Sequence, residues 1–188
     1  MRDATHTKEL IAETALRLFV EKGIKETTIR DIAAAAGIAE GTLYRHYASK
    51  EDLAWDLFSE NFTGFTLELD RVQQRHATLK GKIDAMIRYF CSFFDKNMTL
   101  FGYLLLAQHS QLKKVTPDMP RPGFLLRDLI AEAMERGEVP KGDPEVAASM
   151  VLGLVLEVAI SRIYGDITQS LSRLAGTLSA ASWRVLKG

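Results

Sequence analysis

Apolar residues recur at steps of three and four along nearly the whole chain, and this is the spacing of amphipathic α-helices. Strand-like alternation of apolar and polar residues is absent, and only five prolines interrupt the helical pattern. The first helix is predicted over residues 7–22 and ends at Gly23, because glycine readily adopts the left-handed conformation of a C-terminal cap. The pattern therefore predicts an all-α protein of about nine helices.

Two short helices are predicted directly after the first one. The second begins at Thr28, with an acidic residue three positions later as in a capping box, and it ends by Gly37. The third covers residues 40–46, and a fourth begins after Ser49 and continues towards Arg75. Two short helices joined by a tight turn that contains glycine, after a longer supporting helix, are typical of a helix-turn-helix.

Larger apolar residues follow in the rest of the chain. Residues 83–105 carry them at helical spacing, and the turn TPDMPRPG separates this segment from a helix predicted over residues 124–136. Asp143 followed by proline marks the start of the next helix, which we expect to reach Tyr164. The last helix has apolar residues 4, 3, 4, 3 and 4 positions apart, which predicts a seam against a partner helix. The seam consists of Ile167, Leu171, Leu174, Leu178, Ala181 and Val185.

The third helix and the residues after it carry polar groups suited to DNA. An α-helix fits the major groove, where its N-terminal residues reach base edges while hydroxyl groups and cations hold the phosphates. Gly41 has no side chain to keep the backbone away from DNA, and the Tyr44 hydroxyl and Lys50 ammonium suit phosphate oxygens. Three more side chains can pair with base edges, namely Glu40, Arg45 and His46.

Residues 27–53, TTIRDIAAAAGIAEGTLYRHYASKEDL, resemble the DNA-binding domain of the tetracycline-repressor (TetR) family. The family's ordered pattern of Thr, Ile-Ala, Ala-Gly, Gly, Leu-Tyr, an aromatic residue and Lys-Glu is present here. It falls at Thr28, Ile32, Ala33, Ala36, Gly37, Gly41, Leu43, Tyr44, Tyr47, Lys50 and Glu51. The match covers the first part of the chain and is far more specific than a lone glycine motif.

The resemblance implies a role for each matching position. Thr28, Tyr44 and Lys50 are expected to contact the phosphate backbone. Tyr47 is expected to pack inward against the first helix. Further positions face the duplex and are candidates to read its sequence, namely Arg30, Glu40, Thr42, Arg45 and His46.

One position departs from the family, which often has serine where this chain has Ala39. An alanine there forgoes a side-chain cap worth ~0.5–2 kcal/mol. Either Glu40 compensates at the positive end of the helix, or DNA itself supplies the missing acceptor.

The resemblance also implies that the last two helices pair with their copies in a second subunit. The predicted helices over residues 144–164 and 167–186 agree with this. An intrachain core is the alternative. A two-fold dimer places two recognition helices in successive major grooves, ~34 Å apart, which predicts a palindromic operator. The expected interface residues are Val151, Val155, Val158, Leu171, Leu174 and Leu178.

In the TetR family the middle of the second domain holds a small and often apolar effector. Aromatic and sulfur-containing residues at helical spacing are also typical of an ordinary filled core, which stays the alternative here. The candidate effector-binding residues are Phe62, Phe65, Phe90, Phe94, Met98, Phe101, Tyr103, His109 and Phe124.

The distribution of charged residues along the chain indicates how it would bind DNA. Its 24 Lys and Arg balance 24 Asp and Glu, so no overall charge indicates a polyanionic partner. Residues 1–60 contain 8 basic and 11 acidic residues, a net charge of −3, whereas residues 22–50 contain 5 and 3, a net charge of +2. DNA binding would therefore depend on a few well-placed cations.

Several other classes of protein lack support. Nucleophile-elbow, P-loop and dinucleotide motifs are absent, so we predict no enzyme and no catalytic residue. Four scattered histidines and one cysteine predict no metal site and no cofactor. Cys91 cannot form an internal disulfide, which fits the cytoplasm, and the first ten residues contain no apolar leader. The most apolar stretch, residues 146–156, ends at Glu157, short of the ~20 residues of a membrane span, so we expect no membrane partner.

These observations predict a helix-turn-helix DNA-binding domain over residues 1–50 and a helical effector-binding and dimerisation domain over residues 51–188. The predicted function is a ligand-responsive transcriptional regulator. We expect a homodimeric repressor that binds double-stranded DNA and is released by a small apolar or amphipathic effector. A helical ligand-binding or scaffold protein without specific DNA binding is the alternative, and the acidic balance of residues 1–60 favours it.

Overall fold

A computed structural model describes residues 4–111, 114–116 and 118–188, with the side chains of residues 4, 106 and 108–110 not described. These residues form nine α-helices and no strand, which confirms the predicted all-α fold. The helices are α1 Ala4–Lys22, α2 Ile29–Ala36, α3 Glu40–Tyr44, α4 Lys50–Gln73, α5 Leu79–Lys96, α6 Met98–Gln111, α7 Pro122–Glu135, α8 Pro144–Tyr164 and α9 Leu171–Lys187.

The helix ends follow the capping residues that the sequence indicates. Gly23 and Gly165 have φ angles of 88° and 87°, the left-handed conformation that ends α1 and α8. The Asp143 carboxylate accepts hydrogen bonds from two backbone N–H groups in the first turn of α8. Two boundaries were predicted wrongly. α3 ends at Tyr44, and residues 45–46 form a turn instead of continuing the helix. α9 begins at Leu171, so Ile167, the first residue of the predicted seam, precedes the helix.

The chain divides into two compact units, and the first contains Met1–Phe62 and Thr99–Pro117. Its core forms where the apolar face of α1 meets buried residues of α2, α3, α4 and α6. The Phe19 and Tyr103 rings stack with centroids 5.9 Å apart, and the Tyr103 hydroxyl donates to the Ala54 carbonyl. Ile32 and Leu43 are fully buried in this core, and they fix the angle between α2 and α3.

The second unit contains Thr63–Met98 and Asp118–Gly188. Here α5 packs against α9, α7 against α8, and α8 against α9. The Asp95 carboxylate on α5 accepts hydrogen bonds from the backbone N–H groups of Leu171 and Ser172, both at 2.9 Å, and so caps α9. These two units are defined by how the chain packs, whereas the predicted boundary after residue 50 divides it by function. The units therefore do not test that boundary, which stays a prediction.

α8 corrects the expectation drawn from its apolar stretch. Glu157 does not end the apolar run, because the helix continues through residues 158–164 with only one more charged residue. Its most apolar 18-residue window has a mean hydropathy of 1.9, and 22% of that window is buried. By length and composition alone α8 could cross a membrane. A helix that leaves an apolar face uncovered in a single chain has the same high hydropathy and low burial.

Candidate nucleic-acid interface

Hydrogen bonds at both ends of α2 fix its start and the turn that leads to α3. The Thr28 hydroxyl accepts from the Asp31 N–H, and the Asp31 carboxylate accepts from the Thr28 N–H at 2.9 Å, which completes the predicted capping box. Hydrogen bonds from Thr28 hold the pKa of the Asp31 carboxyl below its ordinary value. At the other end of α2, Gly37 has a φ of 65°, and the Ile38 N–H donates to the Ala33 carbonyl at 3.0 Å. These bonds present α3 at a fixed angle to α2.

The side chains expected to face DNA are exposed at this corner. The Arg30 side chain is 86% exposed, and its Nε lies 3.9 Å from a carboxylate oxygen of Glu40. A methyl group on Gly41 would meet no atom within 4 Å in this chain. Tyr44 is 54% exposed, so its ring and hydroxyl are accessible to a partner molecule. The structure thus brings residues of α2 and α3 to one accessible surface.

Arg45 and His46 lie in the turn that follows α3. Arg45 is exposed, and its guanidinium is 3.5 Å from the Thr42 hydroxyl, the limit of a hydrogen bond. His46 is half-buried. Because these residues lie outside the regular helix, sequence alone could not give the direction of their side chains.

Two expected phosphate contacts already have partners within the chain. The Thr28 hydroxyl donates to the Asp31 carboxylate at 2.8 Å, so it must leave that acceptor before it can donate to a phosphate. The Lys50 ammonium donates to the carbonyl oxygens of Lys25 at 3.0 Å and Thr27 at 2.8 Å. The sequence contained no signal for these Lys50 contacts, because their partners are backbone atoms more than twenty residues away.

Tyr47 packs inward, as expected. Only 6% of it is exposed, and its ring contacts the ammonium of Lys8 on α1, 5.8 Å from the centroid. Burial raises the pKa of Tyr47 to about 12, so the phenol stays protonated. The same ammonium lies 3.1 Å from the Asp56 carboxylate. These contacts hold α1 against the segment that follows α3.

Ala39 leaves α3 without a side-chain cap, in agreement with the expectation. It has extended backbone angles of −73° and 146°, and no side-chain hydrogen bond caps the helix there. The carboxylate of Glu40 points to Arg30 at a long distance. The first turn of α3 therefore keeps backbone donors that an external acceptor can use.

The candidate effector residues divide between the two compact units. The first unit holds Tyr103, whose buried hydroxyl contacts Ala54, together with Phe101, which is buried, and Phe62, which stacks on Phe58 at 5.1 Å. Tyr103 is thus part of the ordinary core that was the alternative. The His109 side chain lies outside the described residues.

The second unit holds the other candidates. Phe65 contacts Phe90, and two rings that the sequence analysis missed, Tyr89 and Phe93, lie 5.9 and 4.8 Å from Phe65. Tyr89 and Phe93 are one helical turn apart, a signal that could have found them. Phe94 is fully buried and Met98 is half-buried.

Phe124, the last candidate, lies against two guanidinium groups. The Cζ atoms of Arg121 and Arg127 are 3.6 and 4.5 Å from its ring centroid. These contacts cover much of a ring that was expected to line an effector site. In the described part of the chain, no group of three or more His, Cys, Asp or Glu side chains could hold a metal ion.

The expected interface residues are mostly buried within the single chain. Val151, Val155, Leu171 and Leu178 are each at most 6% exposed, because they pack where α8 meets α9 and the other helices of the second unit. For these four residues the intrachain alternative is correct. Val158 and Leu174, the remaining two, are half-buried.

Comparisons with known proteins agree with this geometry. Residues 11–57 match the bacterial regulatory proteins of the tetR family. A fatty acid metabolism regulator protein of Bacillus subtilis is 26% identical over 174 residues, 89% of each chain. A helix-turn-helix transcriptional repressor of Mycolicibacterium smegmatis is 40% identical over 122 residues, 65% of this chain and 57% of the repressor.

A solved structure shares the fold along almost the full length. The transcriptional regulator FadR from Bacillus subtilis, in complex with stearoyl-CoA, aligns with a TM-score of 0.75 at 22% identity, over 93% of this chain and 96% of that one. Motif, capping geometry and relatives thus lead to one assignment. The chain belongs to the TetR family of bacterial regulatory proteins and is a DNA-binding transcriptional regulator.

Proposed function

We propose that the protein is a homodimeric repressor that binds a palindromic operator and is released by an amphipathic effector. The observation that carries this proposal is the exposed corner of α2 and α3, where an uncovered aromatic ring, a glycine and a free helix start occur together. The proposed DNA contacts are Thr28, Arg30, Glu40, Gly41, Thr42, Tyr44, Arg45, His46 and Lys50.

Charge placement supports DNA binding in spite of the acidic balance of residues 1–60. Several acidic side chains of this region are engaged elsewhere: Asp56 and Glu60 with Lys8, and Asp31 with Thr28. The exposed guanidinium groups of Arg30 and Arg45 belong to the proposed DNA face. Because few cations take part, affinity should fall with salt, with a slope set by few phosphates.

The proposed dimer interface is the exposed face of α8, opposite the buried residues of that helix. Val146, Met150 and Tyr164 are 49%, 56% and 78% exposed, and they lie at helical spacing on this face. Gly153 lies on the same face and lets a second backbone approach closely. Exposed apolar residues on one face of a helix mark an interaction surface, and here they flank the exposed Glu157. A second copy of α8 and α9 is the partner that the family resemblance implies.

We propose a fatty acyl-CoA as the class of effector. The support is the Bacillus subtilis regulator of the same fold, which was solved with stearoyl-CoA, and the fatty acid metabolism regulator among the relatives. In the second unit, the half-buried rings of Tyr89 and Phe93 beside Phe65 form an apolar cluster suited to an acyl chain. Such a ligand releases DNA only by binding the DNA-incompetent state more tightly than the competent one.

We further propose that the protein acts in the cytoplasm and performs no catalysis. Burial raises the pKa of the Cys91 thiol to about 11, which suits an inert core cysteine better than a nucleophile. The relatives are regulators, and their names indicate no enzyme.

The test is a titration of fluorescent DNA from the protein's own upstream region, followed by anisotropy at low and moderate salt. We expect saturable binding by the dimer that weakens as salt rises, with release by stearoyl-CoA and no release by CoA alone. Equal affinity for shuffled DNA of the same composition would favour the scaffold alternative. Release by CoA alone would refute an acyl-dependent effector without affecting the assignment of the DNA face.

A further inference from the structure

The exposed face of α8 carries a regular row of residues with a single charge. Its members are 4, 3, 4, 3 and 4 positions apart, the spacing of a seam between packed helices. All are exposed except Ile160, which is half-buried, and Glu157 is the only charged member. We call it the α8 row, and it consists of Val146, Met150, Gly153, Glu157, Ile160 and Tyr164.

α9 carries a second row on the side opposite its buried residues. Its four exposed members are 4, 3 and 4 positions apart, with an arginine at each end and two short side chains between them. The helix contains no acidic residue. We call it the α9 row, and it consists of Arg173, Thr177, Ala180 and Arg184.

The charges of both rows are available to another molecule. The described residues hold no ion-pair partner for the side chains of Glu157, Arg173 or Arg184. Lys187, the remaining cation of α9, differs from them because it donates to the Glu138 carbonyl at 2.7 Å. The α8 row therefore offers one free acid, and the α9 row offers two free cations.

The signs of these charges discriminate between the ways in which two copies can pack. If the α8 row packs on its own copy about its middle, two glutamates come within about one helical turn of each other. If the α9 row packs on its own copy, arginines approach arginines. Like charges placed together in an interface oppose association, whereas opposite charges favour it and fix the register. Charge complementarity thus favours the α8 row against the α9 row of a second copy.

The levels of the residues along the helices agree with this pairing. Glu157 is seven residues before the end of α8, and Leu178 is seven residues after the start of α9. The two are therefore level in an antiparallel pair, and a two-fold axis along the helices keeps these levels in the partner. Glu157 then lies opposite the short side chains of the α9 row. The row's two arginines are five and six residues to either side of Leu178, about 7–9 Å along the axis, within the combined reach of both side chains.

We propose that the α8 row packs on the α9 row of the partner subunit, with Glu157 held between the partner's Arg173 and the partner's Arg184. Two-fold symmetry makes this contact occur twice in each dimer. The inference rests on the homodimer proposed above and goes further, because it assigns which helix meets which and what fixes their register.

The experiment reverses the charges in the full chain and measures dimer dissociation by sedimentation. One variant is Glu157→Arg, and the other combines Arg173→Glu with Arg184→Glu. Glu135→Arg is the matched control, because it makes the same charge change at an exposed position of α7, outside both rows. The two charge-reversed chains are studied alone and mixed, with a fluorescent label on one of them to detect heterodimers.

Each charge-reversed chain alone should dissociate at least about tenfold more readily than the wild type, because both contacts of its dimer then join like charges. The mixture should form heterodimers nearly as stable as the wild-type dimer. In such a heterodimer one contact is the original pair and the other is the same pair with its charges exchanged. The Glu135→Arg control should dimerise as the wild type does.

Wild-type dimerisation of the double arginine variant would overturn the pairing, because packing of α8 on its own copy leaves the α8 row of that variant unchanged. A mixture that forms no heterodimers would also overturn it. Circular dichroism checks that each chain folds. If the double variant does not, Arg184→Glu alone is mixed with Glu157→Lys for the same comparison.

This inference and the proposed function can fail separately. A wild-type chain that sediments as a monomer would refute the proposed homodimer and the pairing together. A wild-type dimer that does not respond to charge reversal in either row would refute the pairing alone and leave the homodimer intact.

Discussion

Gly41 provides a sharp test of where DNA lies against this protein. It is the second residue of α3, its φ angle is not positive, and a methyl group there would meet no atom within 4 Å. Alanine favours a helix over glycine by up to about 1 kcal/mol. Gly41→Ala should therefore leave the free protein as stable as the wild type, or raise Tm by about 2–4 °C.

DNA binding should respond in the opposite direction. If the backbone of α3 lies against the duplex, the added methyl group enters an occupied space, and overpacking of this kind costs about 1–3 kcal/mol. Affinity for the operator should fall roughly five- to 150-fold. Anisotropy titration measures the affinity, and a thermal melt followed by circular dichroism measures the stability of the same sample.

Gly64→Ala is the matched control for this prediction. Gly64 is exposed in the middle of α4, and a methyl group there also meets no atom within 4 Å. This variant should gain helix stability and bind DNA normally. If Gly41→Ala binds DNA as tightly as Gly64→Ala does, α3 does not approach the duplex through its first turn and the reasoning is wrong.

Three further predictions concern charge, assembly and pH. Glu40→Gln should raise affinity for non-operator DNA several-fold at low salt, because it frees Arg30 from its carboxylate neighbour; unchanged affinity would contradict this. Gly153→Ala should weaken the dimer in sedimentation while Gly64→Ala does not, since only the first methyl group meets a second copy; an intact dimer would place the interface elsewhere. Asp95→Ala should lower the free energy of unfolding at pH 7 by about 1 kcal/mol through loss of the α9 cap. Burial alone would raise the pKa of the Asp95 carboxyl. The hydrogen bonds that it accepts from Ser172 and Leu171 lower the pKa by more, so it lies below its ordinary value. The stability it provides is therefore present above the ordinary pKa of about 3.9 and is lost as pH falls through the lowered one. A difference between wild type and Asp95→Ala that persists in melts below that range would contradict this account.

Local signals predicted the helix ends well. Thr28 with Asp31, Asp143 before Pro144, and glycine at position 23 each act within one helical turn, so their chemistry is visible in a short stretch of sequence. The end of α3 was less predictable, because no capping glycine follows Tyr44 and the turn depends on packing of Tyr47.

Long-range contacts were not predictable in this way. The hydrogen bonds from Lys50 to the carbonyl oxygens of Lys25 and Thr27, and the Asp95 cap of α9, join atoms separated by 23 to 77 residues. Nothing in either segment indicates its partner. The apolar residues of α8 posed a related problem. A helix that is apolar on most sides does not reveal which side packs within the chain, so Val151 and Val155 were assigned to the wrong face.

The central claim is that two copies of this chain place two α3 helices in successive major grooves of one DNA site. Hydroxyl-radical footprinting on DNA selected by the purified protein tests this most directly. The account predicts two protected half-sites related by two-fold symmetry, with centres about 10 base pairs or a whole multiple of a helical turn apart. Protection of a single unrepeated segment, or no selected site at all, would contradict it.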